Sequence, residues 1–301
     1  KKPQRALKFK GINKENPSNS NVRKFIKIQN GCDHSCTFCI IPACRGKSKS
    51  ESISKINNEI SFNLKNGVKE IILTGVDLTS WNTKKDQYLG HLLKKIFNKN
   101  NSIFRLRLSS IDAAEIDPEL LDLIKYEPRL MPHFHFSLQS LDNLILKRMK
   151  RRHNVGQIIE LFENIRNASS NVTFGSDFIC GFPTESEKMF ANTLELVKEL
   201  NITHLHVFPF SAKEGTAAAL MPQVPSHIRR ERAKILRALG RQNLQKTLEK
   251  QINKKQKILI ETSDGFGRTD NNLKVKVLDA IKGSLIERAP AYFKDDLLIV
   301  N

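Results

Sequence analysis

The stretch Val22-Arg23-Lys24-Phe25-Ile26-Lys27-Ile28-Gln29-Asn30-Gly31-Cys32-Asp33-His34-Ser35-Cys36-Thr37-Phe38-Cys39 joins two signals. Its first part, Val22–Gln29, alternates apolar and polar residues as a β-strand does. Its second part is a C-x3-C-x2-C run placed directly behind that strand. Three thiolates so close together can converge on one soft metal centre, whereas a structural zinc takes four ligands. A [4Fe-4S] cubane held by three cysteines leaves one iron open to a small molecule. The run therefore favours a reactive cluster on Cys32, Cys36 and Cys39. Zinc completed by a distant fourth ligand is the other reading. His34 lies between the thiolates and is expected to point away from their shared focus. Cys44 is expected to be a bystander, carried off by a bend at Pro42. Cys180, beside Gly181 at the end of a later strand, reads as a buried and inert thiol.

Working outward, strand and helix signals alternate through residue 210. Helices are expected at Ile53–Asn66, Leu89–Phe97, Pro118–Tyr126, Leu141–Met149, Ile158–Asn167 and Glu185–Leu200. Strands are expected at Val68–Thr74, Ile103–Leu108, His133–Leu138, Val172–Ile179 and His204–Phe208. About six strands with intervening helices imply a parallel sheet with right-handed crossovers. In such folds the chemistry gathers at the C-terminal ends of the strands. Here those ends are polar or glycine-rich: Thr74-Gly75-Val76-Asp77, Ser109-Ser110-Ile111-Asp112, Ser137-Leu138-Gln139-Ser140, Asp177 to Thr184, and Pro209 to Thr216. His133, His135 and His206 lie on strands and read as satisfied interior histidines rather than catalytic bases.

The flanks differ in texture. Residues 1–21 are polar and basic, as a linker or tail is. Residues 226–250 form a basic connecting helix, and from residue 251 onward short β-like runs at Ile258–Glu261, Leu273–Leu278 and Leu297–Val300 indicate a small β domain. Of the 301 residues, 39% are hydrophobic and 27% charged, enough apolar material for a core and against wholesale disorder. No stretch reaches the ~18 uncharged apolar residues of a membrane span. The start has no apolar signal segment, so a cytoplasmic location is expected. It also lacks Met, which suggests a fragment. Fifty Lys and Arg against 31 Asp and Glu give a formal charge of +19, which favours a polyanionic partner, nucleic acid foremost.

The cysteine run and its flanks resemble the radical S-adenosylmethionine (SAM) methylthiotransferases. The likeness rests on Gln29-Asn30-Gly31-Cys32, Cys36-Thr37-Phe38-Cys39-Ile40-Ile41-Pro42 and Arg45-Gly46. Further on it includes Leu73-Thr74-Gly75-Val76-Asp77-Leu78, Arg107-Leu108-Ser109-Ser110-Ile111-Asp112, Ser137-Leu138-Gln139-Ser140 and Lys147-Arg148-Met149-Lys150-Arg151. Asp177, Gly181-Phe182-Pro183-Thr184-Glu185 and His206-Val207-Phe208-Pro209-Phe210-Ser211 complete it. Together these are most similar to the branch acting on N6-threonylcarbamoyladenosine at position 37 of tRNA. The resemblance spans roughly residues 22–250. More weakly, the tail resembles the family's small RNA-binding β-barrel, the TRAM domain.

The resemblance implies an α/β fold, a partial parallel (β/α)6 radical-SAM barrel over 22–225 with a TRAM-like barrel over 251–301. It implies a [4Fe-4S] cluster on Cys32, Cys36 and Cys39 whose open iron takes SAM, and a 5′-deoxyadenosyl radical acting at adenine C2. A second [4Fe-4S] cluster, the presumed sulfur source, belongs to an N-terminal domain absent from this sequence. Gly75 and Val76 are expected beside the methionyl part of SAM, with Ser110, Gln139 and Asp177 bonding its polar atoms. The bland reading of each is an ordinary loop-end residue. Lys147, Lys150, Arg151 and Arg152, together with Arg229 and Arg230, are expected on tRNA phosphates, and Phe208 and Phe210 are candidates for base stacking. The expected partners are a tRNA anticodon stem-loop and an electron donor of the flavodoxin or ferredoxin type, with the chain itself a monomer free of the membrane. The alternatives are a methylthiotransferase for isopentenyladenosine or for a ribosomal protein, and a zinc-stapled RNA-binding protein without catalysis.

Overall fold

The structure, a computed structural model, describes residues 21–82, 87–103 and 105–301. The linker expected at 1–21 lies, save its last residue, outside the described residues. Six strands carry the main domain: β1 Arg23–Lys27, β2 Glu70–Thr74, β3 Arg105–Leu108, β4 His133–Gln139, β5 Thr173–Cys180 and β6 His204–Pro209. All their pairings are parallel. β1, β2 and β3 form one run and β4, β5 and β6 another. Single bridges at Leu106–Leu130 and Ile111–Phe136 join the runs into one partial barrel. This is the α/β architecture expected from the alternation.

The helices are α1 Ile41–Arg45, α2 Ile53–Lys65, α3 Leu89–Lys99, α4 Pro118–Tyr126, α5 Asn143–Arg148, α6 Val155–Ala168, α7 Glu187–Glu199 and α8 Ser226–Glu249. Local chemistry starts them. The Ser52 side chain accepts from the Lys55 N–H, and Asp117 does the same for Leu120 ahead of Pro118. Asn154 and Gln157 form a reciprocal capping box at α6. The expected helix at Leu141 begins two residues later, because Asp142 caps it and Leu141 is buried before the first turn. Outward-facing strand residues such as Ile71, Leu73, Phe134, Phe136, Phe174 and Phe178 meet Ile56, Ile60, Leu92, Ile96 and Phe162 of the helices in one core. Each such side chain contributes about 1.5–3 kcal/mol by burial.

The concave face is different. Alternation along each strand puts Arg23, Glu70, Arg105 and Arg107 there, then His133 and His135, Thr173 and Asp177, His204 and His206. At its N-terminal end the carboxylate of Glu70 is fully buried. It accepts from Arg23 Nε at 2.7 Å, Arg105 Nε at 2.8 Å and Arg107 Nε at 2.9 Å.

The C-terminal domain closes this end. Its strands are β7 Gln256–Ile260, β8 Phe266–Thr269, β9 Lys274–Val277, β10 Leu285–Arg288, β11 Tyr292–Lys294 and β12 Leu297–Val300. They lie in the order β10-β7-β8-β9-β12-β11, antiparallel except for β9 with β12. Leu248 of α8 joins Ile258, Ile260, Leu273, Val275, Val277, Leu298 and Val300 in a second core. Alternation alone missed β8, β10 and β11, whose residues are largely polar or exposed. The β8–β9 turn enters the barrel. The Thr269 carbonyl accepts from Arg105 Nη2 at 3.2 Å and Arg107 Nη2 at 2.9 Å, and the Asp270 carboxylate pairs with Arg105. Thr173 Oγ1 donates to the Asn271 carbonyl at 2.6 Å.

α8 is more than a basic connector. Arg232 is buried against Glu185 at 2.8 Å, Arg229 donates to the Phe210 carbonyl at 2.8 Å, and Arg237 to the Val207 carbonyl at 2.7 Å. Arg230, Lys234, Arg241 and Lys246 remain exposed. Among the described residues, no helix is long and apolar enough to cross a membrane.

Burial alone raises the Glu70 pKa, but the guanidinium groups of Arg107, Arg23 and Arg105 overcome it and hold the group at about 2 against an ordinary 4.5. A depressed carboxylate stabilises the fold above its unfolded pKa and loses that contribution as pH falls through its folded value. Glu70 therefore supports the fold at neutral pH, with its contribution fading between about 4.5 and 2. Glu70→Gln is expected to lower stability by about 3–5 kcal/mol at pH 7, because buried arginines lose their counter-charge. Urea unfolding from pH 7 to pH 3 should show the two proteins converging as the medium becomes acidic.

Candidate active site

The thiols sit on the loop that leaves β1. Gly31 has φ +77°, and a Cβ there would lie 2.1 Å from the Lys47 carbonyl oxygen, so only glycine fits this close approach. The Cys32 N–H donates to the Gly46 carbonyl at 3.1 Å, and the Cys39 N–H to the Cys36 carbonyl at 3.1 Å. Buried Gln29 stitches the loop to the end of β2. Its Nε2 donates to the Gly31 carbonyl at 2.7 Å and its Oε1 accepts from the Asp77 N–H at 2.9 Å. Thr37 anchors the other side, with Oγ1 donating to the Arg148 carbonyl at 2.8 Å.

These ties bring Cys32, Cys36 and Cys39 to one cavity of about 140 Å³. Its other walls are the strand ends: Val76 and Asp77 after β2, Ser110 and Asp112 after β3, Ser137 and Gln139 of β4, and Arg151. The remainder is Phe38, Ile41 and His34. Three soft sulfurs on one cavity fit a three-cysteine iron–sulfur cluster, and among the described residues no fourth cysteine lines it. Burial raises the Cys39 thiol pKa, so the charge of a bound metal is what would keep that sulfur a thiolate.

Two sequence expectations fail here for electrostatic reasons. His34 does not turn away from the thiols but lines the same cavity. Its Nε2 lies 3.2 Å from Asp77 Oδ2 and 3.0 Å from Glu115 Oε1. Hydrogen bonds to Cys32 and Glu115 outweigh burial and raise its pKa to about 10. Arg151 does not belong to an exposed basic run. Its side chain is only 6% exposed. It donates to the Ser137 carbonyl at 2.6 Å and Asp112 Oδ2 at 2.9 Å, with Nη1 3.6 Å from Cys36 Sγ. Arg152 is half-exposed but paired with Glu115 at 2.7 Å. Lys147, Lys150 and Arg230 are exposed, and Arg229 is committed to the Phe210 carbonyl.

Of the residues expected around a small-molecule cofactor, Val76, Ser110 and Gln139 line the cavity. Gln139 does so with φ +71°, a left-handed conformation that a non-glycine residue adopts at a cost and that concentrates at functional sites. Gly75 is packed under Gln29, and Asp177 is outside the lining. Sequence reasoning missed Asp77, Asp112 and Ser137 as cavity residues, and it expected Arg151 on RNA phosphates instead of in this lining. The first three stand in the polar strand ends it singled out, so their position was the available signal. No spacing links Arg151 to Asp112.

His133 is the satisfied interior histidine expected, its Nδ1 2.8 Å from Thr173 Oγ1. His206 is not interior, being 63% exposed at its side chain. Cys44 is exposed on α1, where Pro42 occupies the first turn that lacks N–H partners anyway, so it starts a helix rather than bending the chain away. Cys180 is buried and its pKa is pushed up to about 12, first by burial and then by Glu185. Phe210 is buried against Phe182, whereas Phe208 is 54% exposed.

Residues 26–197 match the sequence profile of the Radical SAM superfamily. The threonylcarbamoyladenosine tRNA methylthiotransferase MtaB of Rickettsia prowazekii is 48% identical over 257 residues, covering 85% of this chain and 61% of that protein. Its counterpart in Bacillus subtilis is 33% identical over 264 residues, covering 84% and 58%. A tRNA-2-methylthio-N(6)-dimethylallyladenosine synthase of Rickettsia typhi is 37% identical over 217 residues, covering 70% and 48%. The chain thus spans between about half and about three-fifths of the length of these relatives. Among solved structures, coproporphyrinogen III oxidase (HemN) of Escherichia coli superimposes with TM-score 0.55 at 18% identity, covering 75% of this chain and 55% of that one. The radical S-adenosylmethionine methyltransferase TsrM of Kitasatospora setae gives 0.54 at 15% identity, covering 67% and 38%. These two likenesses concern the fold.

Replacing Cys32, Cys36 or Cys39 singly with Ala is expected to abolish uptake of iron and sulfide on anaerobic reconstitution, while Cys44→Ala and Cys180→Ala retain it. Iron and sulfide analysis with visible absorbance checks this.

Proposed function

The chain belongs to the radical SAM superfamily, and on that footing we propose that it is the catalytic part of a tRNA methylthiotransferase acting on N6-threonylcarbamoyladenosine. The observation that carries the proposal is the sharing of one cavity by three thiols and the polar strand ends. Cys32, Cys36 and Cys39 would hold the [4Fe-4S] cluster. When bound, the cluster and SAM supply the electron transfer and the 5′-deoxyadenosyl radical.

The chain's own contribution is placement. Val76, Ser110 and Gln139 are the groups available to orient SAM, on strand ends made rigid by parallel pairing. Arg151 sets a fixed positive charge beside Cys36 and braces Asp112, so the cavity's ions are paired before any ligand enters. Phe38, Ile41 and Val76 give the cavity its apolar walls. Exposed Lys147, Lys150 and Arg230, within a formal charge of +19, suit an RNA backbone, whose contacts position without reading sequence.

The substrate branch rests on the likeness to the threonylcarbamoyladenosine enzymes, of which the R. prowazekii relative is 48% identical, against 37% for the dimethylallyl enzyme of R. typhi. The zinc-stapled binder has no comparable support, since the profile match covers residues 26–197.

The reconstituted chain is expected to release 5′-deoxyadenosine from SAM under anaerobic reduction, and Cys36→Ala to release none. Mass spectrometry of tRNA from a strain lacking the gene should show the methylthio group missing from threonylcarbamoyladenosine. Its loss from the isopentenyl nucleoside instead would overturn the branch assignment.

A further inference from the structure

One pleat below Ser137 the concave face carries three groups that the cluster cavity does not use. His135 Nε2 and His206 Nδ1 each lie 3.1 Å from the same oxygen of Asp177, Oδ1, and the two imidazoles lie 4.6 Å apart between centroids. The arrangement is built. A Cβ at Gly175 would lie 2.5 Å from His135 Nδ1, so the ring needs glycine on the neighbouring strand to lie where it does. His135 is buried, Asp177 is half-buried, and His206 projects outward with 63% of its side chain exposed. Two residues on, and so about 6.6 Å along the same face, Phe208 presents an exposed ring.

The surroundings favour an anion. Arg237 and Arg241 line, with His204 and His206, a cavity of about 290 Å³. His204 Nε2 and Arg107 Nη1 are buried on this concave face with no hydrogen-bond partner among the described residues. Asp177 raises the His206 pKa, which favours the charged form of the exposed ring.

We propose that His206, braced by Asp177 and His135, recognises a carboxylate carried by the substituent of the target base, with Phe208 stacking on the base itself. The inference rests on the function proposed above and deepens it. A threonylcarbamoyl group ends in a carboxylate and a hydroxyl, whereas a dimethylallyl group has no polar atom to offer. The pair of an aromatic platform and a cationic imidazole two residues apart distinguishes the two substrates by chemistry rather than by size. A site built to bond a polar group also rejects the analogue lacking it more strongly than an apolar pocket rejects an extra group.

The test is binding by the reconstituted full chain to an anticodon stem-loop RNA. The position-37 adenine carries threonylcarbamoyl, its methyl ester or dimethylallyl, and fluorescence anisotropy reads the affinity. Wild type is expected to prefer the free acid over the ester by about tenfold, the worth of one charge-assisted hydrogen bond. His206→Gln should bind both alike, and His206→Arg should restore the preference, with melting temperature and iron content unchanged in both. A preference that survives in His206→Gln overturns the assignment of His206 and leaves the proposed function standing. Wild type that binds acid and ester equally, yet prefers either to dimethylallyl, overturns the carboxylate site alone. Wild type that prefers the dimethylallyl RNA overturns the proposed substrate and this site with it.

Discussion

A buried carboxylate facing three guanidinium groups sets the frame on which the molecule depends. Glu70 sits on β2, with Arg23 on β1 and Arg105 and Arg107 on β3 around it, all on the concave face. Removing these ions from water is expensive, and a cluster of this kind adds little net stability over an apolar replacement. Its value is geometric, since few strand arrangements leave every charge paired. The Thr269 carbonyl and Asp270 complete the set, so the C-terminal domain caps the barrel instead of merely following it.

That cap divides the barrel interior into layers. Ion pairs occupy the N-terminal end, histidines and Asp177 the middle, and thiols with polar strand ends the top. An apolar barrel interior would have needed none of this, and it would have offered no donors to a polar ligand. The cost is a set of buried polar groups that must find partners, and most find them on neighbouring strands, as His133 does with Thr173.

The upper layer is assembled from loops that follow β1, β2, β3 and β4. Gln29 ties the thiol loop to the end of β2, Thr37 ties it to the last residue of α5, and Arg151 joins Asp112, Ser137 and Cys36. Each tie is a hydrogen bond between separate segments of the chain, so the placement of the thiols depends on how the strands and α5 are packed. α8 contributes from outside, its arginines bonding carbonyls at the end of β6 and just beyond it.

The sequence alone located most of the elements and the three thiols that share one cavity. Alternating residues in Val22–Gln29 and helical spacing in Ile53–Asn66 report local periodicity, and three cysteines within eight residues are a pattern visible without the fold. Three strands of the C-terminal domain escaped because Phe266–Thr269, Leu285–Arg288 and Tyr292–Lys294 are polar or exposed and lack that contrast. Only the tertiary structure decided what each charge does. Arg151 and Lys150 are neighbours in a basic run, yet one is buried on Asp112 and the other faces solvent. Asp177 and Val76 both follow the strand-end pattern, yet Val76 lines the cluster cavity and Asp177 holds two histidines a layer below. Periodicity is a property of a segment, whereas the partner of a charge is chosen by whichever distant residues the fold brings within hydrogen-bonding range.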